Sequence, residues 1–408
     1  MQISVVNTPD ERMEFLDFPK RLYKGDPFWV CPLDAQTEGI FDREKNYLLR
    51  KGEAVRWILK DEEGRTIGRM AAFIDGTRVS ANHQPTGGIG FFEVTGNREA
   101  AFTLFDAGRD WLAERGMEAM DGPVNFGEND NNWGLLVEGF MQQGYGMPYN
   151  KQYYKDFFEE YGFRNYFEQY SYHRTVRGPD GRLEQFPERI MKIAGWLSRR
   201  PGYSFRHFLF SEKDKFVNDL VQIYNSAWAV FKKDFTPLDP DFLQDSFNKT
   251  KAIIDEDLIW FAYHNERPIA FFLLLPDLNQ IIKHFKGRLH LWNKIRFVWY
   301  RSTHEMTRMR AVAGGVDPSY QNSGVESAIF YHLYEVFRKK PWYNELELSW
   351  VGDFNPKMTA IYEALGAHRA KTHITYRYLI NNKLEFIRYK DELAEWIQPV
   401  TGEKQRAQ

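Results

Sequence analysis

The segment from Val316 to Phe330 has the composition of an anion site. It reads as a strand entering a glycine turn and then a helix whose first amides face outward. A helix start leaves unpaired N–H groups and a partial positive charge, and a glycine at 324 lets a phosphate approach the backbone with no side chain in the way. A second chemical segment follows. Glu345, Glu347 and Ser349 alternate with Leu346, Leu348 and Trp350, which places the two carboxyls and the hydroxyl on one face of a strand. Next comes a helix marked by Asn355, Pro356, Met358, Ile361, Tyr362 and Gly366. Asn355 caps it, Pro356 suits its first turn and Gly366 supplies the left-handed residue that ends it. Punctuation explains those three, so Tyr362 is the residue left for chemistry.

Taken together, the residues from Arg310 to Ala367 resemble the GNAT acyltransferase superfamily. Val316, Pro318, Tyr320, Gln321 and Gly324 match in register its coenzyme A pattern of valine, x, proline, x, aromatic, glutamine or arginine, x, x, glycine. Asn355, Met358, Ile361, Tyr362 and Gly366 match its fourth helix. The resemblance implies attack of an amine on a thioester, with acyl-CoA or acetyl-CoA as donor; no Cys/His cluster with ligand spacing appears among the ten histidines, so no metal is expected. It implies further that backbone amides of Gly314, Gly315 and Val316 hold the acyl carbonyl. Gln321, Asn322, Ser323, Gly324, Val325 and Ser327 would hold the pyrophosphate, Asn355 would border that site, and Tyr362 would protonate the leaving thiolate. Because the family's sheet is flanked by helices, a carboxylate on a central strand must be neutralised, exposed at an opening, or functional; Glu347 is the candidate base, with His368 and His373 in reserve. One position departs from the pattern: Glu326 stands where the family has glycine or alanine, and its charge would repel a pyrophosphate.

The elements that position these residues recur in the first half of the chain. Ala54 to Leu59 and Thr66 to Ile74 read as strands about a turn, Gly90 to Val94 as a strand entering a helix from about Arg98 to Arg115, and Tyr149 to Phe163 as a helix begun by asparagine and ended by glycine. No glutamine or arginine stands three residues before the glycine of the Thr95–Ala100 turn, so no cofactor site is expected there. The polar loop from Gly122 to Trp133, with Gly139 to Pro148 after it, is either a set of turns or a cover over the acceptor. A polar turn near 180 divides the chain. The expected fold class is α/β (α+β): two tandem GNAT-like domains, 1–178 and 179–385, each a mixed, mostly antiparallel twisted sheet flanked by helices, then a tail, 386–408.

Residues 276–309 interrupt the second copy. Lys283, Lys286, Arg288, Lys294, Arg296 and Arg301 are mixed there with Phe285, Leu291, Trp292, Ile295, Phe297, Val298, Trp299 and Tyr300. Such a stretch is either a solvated helix packed on a core or an interfacial helix whose cations meet anionic headgroups while its aromatics enter the acyl boundary. The second reading gives peripheral membrane contact through 281–310 and suits a lipid-like amine acceptor. Across 408 residues the net charge is -2, which argues against a nucleic-acid partner, and one cysteine excludes an intrachain disulfide. A cytoplasmic setting is expected, peripheral at the inner membrane surface. Two competing functions share this fold: a non-catalytic ligand-binding or scaffold protein, favoured by Glu326, and an aminoacyl-tRNA-dependent transferase of the peptidoglycan-bridge type, which would call for a coiled-coil arm and a basic surface.

Overall fold

The computed structural model describes residues 1–76, 84–126, 133–228 and 237–394. The first half supplies strands β1 (Gln2–Val5), β2 (Glu53–Lys60), β3 (Thr66–Ile74), β4 (Thr86–Val94), β5 (Ala119–Gly122), β6 (Leu135–Glu138) and β7 (Arg164–Thr175). The second supplies β8 (Tyr203–His207), β9 (Ile259–His264), β10 (Arg267–Pro276), β11 (Arg308–Val316), β12 (Glu345–Gly352) and β13 (His368–Leu379). All join one mixed sheet in the order β1-β2-β3-β4-β5-β13-β7-β12-β11-β10-β9-β8, with β6 beside β13. In each half the one parallel pair, β4 with β5 and β11 with β12, is short, and every other pairing is antiparallel. The duplicated order read from the sequence is therefore present.

The closing strands are exchanged between the halves. β7 completes the second half by pairing with β12, β13 completes the first by pairing with β5 and β6, and the two pair with each other. A sheet edge left open at the centre would expose unpaired backbone groups, and the exchange closes both edges. The division expected at 178 lies in the turn after β7, where Arg177 and Leu183 form an isolated bridge, yet β7 itself belongs to the second half's sheet.

Helices cover the sheet through faces set by 3.6-residue spacing. Arg98–Ala113 is capped by Asn97 and buries Leu104, Phe105 and Leu112; Val325–Lys339 buries Ile329, Phe330, Leu333 and Phe337. The helix expected to start at Asn150 instead begins at Tyr154. Asn150 ties down β6, accepting from the Leu136 N–H at 2.7 Å and donating to the Leu136 carbonyl at 3.1 Å, while Gly162 ends the helix at φ 109 as expected. Of the tail, Tyr389 packs on Phe167 and Arg388 pairs with Asp353 at 2.8 Å. Residues 395–408 lie outside the described residues, as do 127–132 of the polar loop.

Candidate functional site

Strands β11 and β12 are paired only from Arg308↔Glu345 to Arg310↔Glu347. Beyond that point β11 stays with β10 as far as Val316, and β12 stays with β7 as far as Gly352. Parallel strands that part in this way leave their facing edges without a ladder partner, so the amides there are open to a ligand. Beside the far end of β11 lies an apolar slot lined by Gly314, Gly315 and Val316 with Phe271 and Phe272 of β10, and by Ile329, Met358 and Ile361 of the flanking helices. A side chain on the strand would crowd β10: a Cβ at 314 would stand 2.7 Å from the Phe272 ring, and one at 315 would stand 3.1 Å from Phe271. In the first half, β4 and β5 part as well, but that gap is filled from within. The Phe91 N–H donates to Asn125 at 3.1 Å and the Val94 N–H donates to the Tyr154 hydroxyl at 2.8 Å.

From Val316 the chain turns through Asn322 (φ 64) and Gly324 (φ 87) into the helix Val325–Lys339. Gln321, Ser323 and Ser327 are half-buried around that turn. The Ser323 hydroxyl is buried with no hydrogen-bond partner, which a ligand oxygen at the helix start would supply. Lys357 donates to the Gln321 amide oxygen at 3.3 Å, so the two motifs separated in the sequence adjoin. Lys357 is a cation at the turn that sequence reasoning passed over; its place directly after the Asn355–Pro356 helix start was the available signal. Asn355 acts as the cap, accepting from the Met358 N–H at 3.2 Å. An amide-rich helix start, an unpartnered hydroxyl, a lysine and a glycine together fit a diphosphate.

Glu326 lies in the first turn of that helix and lines the slot. Burial raises its carboxyl above the ordinary range, favouring the neutral acid that repels no phosphate. The sign follows: as pH rises through the raised pKa, Glu326 ionises and the affinity for an anionic acyl thioester should fall. Glu326→Gln, titrated calorimetrically with acyl-CoA across that range, should bind with no such fall. An identical pH dependence in the variant would show that Glu326 does not face the ligand.

Tyr362 sits one residue from the slot-lining Ile361, and its ring turns into the core against Tyr172 of β7 at 5.6 Å. Burial alone raises its phenol further above neutrality.

At the paired end of the two strands lies a buried charged seam. The Glu347 carboxylate is 2% exposed, pairs with Lys371 of β13, and has Arg308 at 3.6 Å. Arg308 also pairs with Asp277 at 2.6 Å and donates to the carbonyls of Gln142 and Gln143, both at 3.1 Å. Arg310 donates to Ser349 at 3.0 Å and to the Tyr145 carbonyl. Although burial opposes ionisation, these cations hold Glu347 below the ordinary carboxylate range, as a weak base whose lone pairs are engaged. Of the reserves, His368 is exposed beside His173. His373 is fully buried, its pKa pushed down to about 4. Its Nε2 faces the Pro148 carbonyl at 3.2 Å and its Nδ1 has no partner, so a neutral ring that donates through Nε2 leaves a free lone pair on Nδ1. Trp133, also fully buried, stands beside it at 5.9 Å with its indole N–H unpartnered. The segment Gly139–Pro148 thus reaches from the first half over the second half's seam, and it does so through backbone carbonyls, which composition does not reveal.

Two splayed parallel strands in a duplicated sheet with exchanged closing strands, one gap sealed and the other leading into a glycine turn, define the tandem GNAT fold. A tandem GNAT protein of the clavulanic acid biosynthesis pathway superimposes with a TM-score of 0.55 at 11% identity, covering 93% of this chain and 98% of that one. The glucosamine N-acetyltransferase region of a fungal β-N-acetylglucosaminidase does so with 0.52 at 12%, covering 92% of this chain and 38% of that one. In sequence the chain is 28% identical over 385 residues to "Bacterial ceramide synthase" of Caulobacter vibrioides (92% of this chain, 97% of that protein). It is 25% identical over 376 residues to "Protein YghO" of Escherichia coli (89% and 91%). No family model matches the chain.

Proposed function

We propose that the protein transfers an acyl group from coenzyme A to a primary amine that carries a hydrocarbon chain. The observation that carries this reading is the parting of β11 from β12 beyond Arg310↔Glu347, beside a glycine-walled apolar slot and a glycine turn whose Ser323 hydroxyl has no partner. The turn and Lys357 hold the diphosphate, and the amides of Gly314–Val316 polarise the acyl carbonyl. Tyr362, protonated at neutral pH, supplies the proton for the departing thiolate. The amine proton passes to Glu347 or to the free Nδ1 lone pair of His373, both weak bases in their present surroundings. The lipid-like acceptor is supported by the relative whose name is ceramide synthase, a ceramide being an N-acylated long-chain amine. The apolar lining of the slot agrees with it.

The test is thiol release by the purified protein supplied with long-chain acyl-CoA and a long-chain amine, with the amide product followed by mass spectrometry. One thiol per amide is expected. Tyr362→Phe should lower kcat by about 10²-fold or more and leave KM for acyl-CoA within about twofold, since a general acid acts only in the transition state. Acyl-CoA binding without thiol release would make the protein a binding module, and full activity in the variant would make Tyr362 a core residue only.

A further inference from the structure

The Leu291–Ser302 helix, within the segment that interrupts the second copy, presents an unpartnered apolar face to solvent. Leu291 is 71% exposed, Trp292 72%, Ile295 51%, Val298 65% and Trp299 55%, which are large values for such side chains. At 100° per residue these five fall within an arc of about 120°. The opposite side of the helix is anchored: Asn293 is buried and donates to the carbonyls of Arg288 (2.7 Å) and Phe285 (3.4 Å), and Phe297 and Tyr300 pack on the cluster of Leu278, Ile281, Ile282, Phe285 and Met306. The exposed arc is therefore rigidly presented and cannot fold inward. Its flanks carry charge of one sign. Lys294 and Arg301 border one side, Arg296 borders the other, and Lys283, Lys286 and Arg288 lie just before the helix, all exposed. Between Asp277 and Glu305 the chain has these six cations and no carboxylate, although its net charge is -2 overall.

We infer that this helix docks the protein on the surface of an anionic phospholipid bilayer, its Trp292–Trp299 face entering the headgroup–acyl boundary while Lys294, Arg296 and Arg301 meet lipid phosphates. A protein partner of ordinary composition would not call for cations on both flanks of a tryptophan face. A bilayer with anionic lipid does, because apolar insertion and electrostatic attraction add there. No helix among the described residues is long and apolar enough to cross a membrane, so the association is interfacial. The anchoring cluster also explains how docking would reach the chemistry. It includes Tyr145, whose N–H donates to Asp277 at 2.8 Å and whose carbonyl accepts from Arg310, so the docked helix is one packed layer from the charged seam.

The experiment is vesicle flotation of the full chain with phosphatidylcholine alone and with added phosphatidylglycerol, at low and high salt. Neither donor nor acceptor is needed, so a negative result here leaves the acyl-transfer reading intact. Wild type should float with the anionic vesicles, less at high salt and little with neutral ones. A variant with Leu291, Trp292 and Trp299 all changed to serine should partition at least about tenfold less, and Lys294→Glu with Arg301→Glu should lose the preference for anionic lipid. All five positions are exposed, so both variants should melt as wild type does. The inference is overturned if wild type does not float at low salt, or if the serine variant floats equally. It is also overturned by a concentration-dependent dimer that the serine variant disperses, with no vesicle binding, since the occupant of the face would then be a second copy of the chain.

Discussion

Gly324→Asp should leave a folded protein that binds acyl-CoA about 100-fold more weakly than Gly324→Asn does. The comparison is built to separate charge from strain. Both variants place a Cβ 2.4 Å from Ile193 Cγ2 and both must hold φ 87, a conformation that asparagine and aspartate tolerate better than other side chains. Both meet the Cγ2 branch of Ile193 alike, so the two variants should lose similar stability, about 1–2 kcal/mol, read as matching falls in Tm. What differs is a carboxylate set at the amide-rich helix start, in competition with the diphosphate for the same N–H groups and the Ser323 hydroxyl. Calorimetric titration with acyl-CoA reads the difference. Equal affinities in the two variants would place the diphosphate elsewhere and leave Gly324 as a packing glycine.

The parts of this site that were legible in the sequence are those encoded locally. The left-handed residue at Gly366, the glycine turn at Gly324, the glycine stop at Gly162, the Asn355 cap and the paired motifs follow from what a few adjacent residues can do. The strand exchange was not legible, because alternation along β7 or β13 shows that a strand exists and says nothing about its neighbour; Tyr376 pairs with Gly122 across most of the chain. The same reason hid the partners of Glu347. Its alternation with Leu346 and Leu348 placed it on a polar face, but Lys371 and Arg308 reach it by tertiary pairing, as do the carbonyls of Gln142, Gln143 and Tyr145 that accept from Arg308 and Arg310. In the interrupting segment the sequence does not divide the aromatics. The structure divides them: Phe285, Phe297 and Tyr300 anchor the helix, while Trp292 and Trp299 face out. Tyr300 stacks on His284 at 5.0 Å and accepts from Arg296 at 3.1 Å, so it does not belong with the exposed tryptophans in a membrane-binding variant.

Glu347→Gln should cost about 3–5 kcal/mol of stability, since it strips a carboxylate from a seam where Lys371, Arg308 and Arg310 converge and leaves buried cations short of a partner. Urea unfolding at neutral pH would read the loss. The pH dependence follows from the depressed carboxyl: its contribution is fully present above the unfolded value near 4.5 and is lost as pH falls through the lower folded pKa. The gap between wild type and variant should therefore be widest near neutrality and close in acid. Lys371, whose own pKa burial drives down, is the partner to remove with it. In Glu347→Gln with Lys371→Met, the most buried charge pair is replaced by neutral groups of similar volume, and most of the lost stability should return, because Arg308 keeps Asp277 at 2.6 Å. Activity in that double variant then decides what Glu347 is for. If the carboxylate takes the amine proton, the refolded double variant stays inactive, with kcat down about 10²-fold or more. If it balances charge and fixes the strands where β11 and β12 begin to part, turnover returns with stability, and the proton acceptor is the free Nδ1 lone pair of His373.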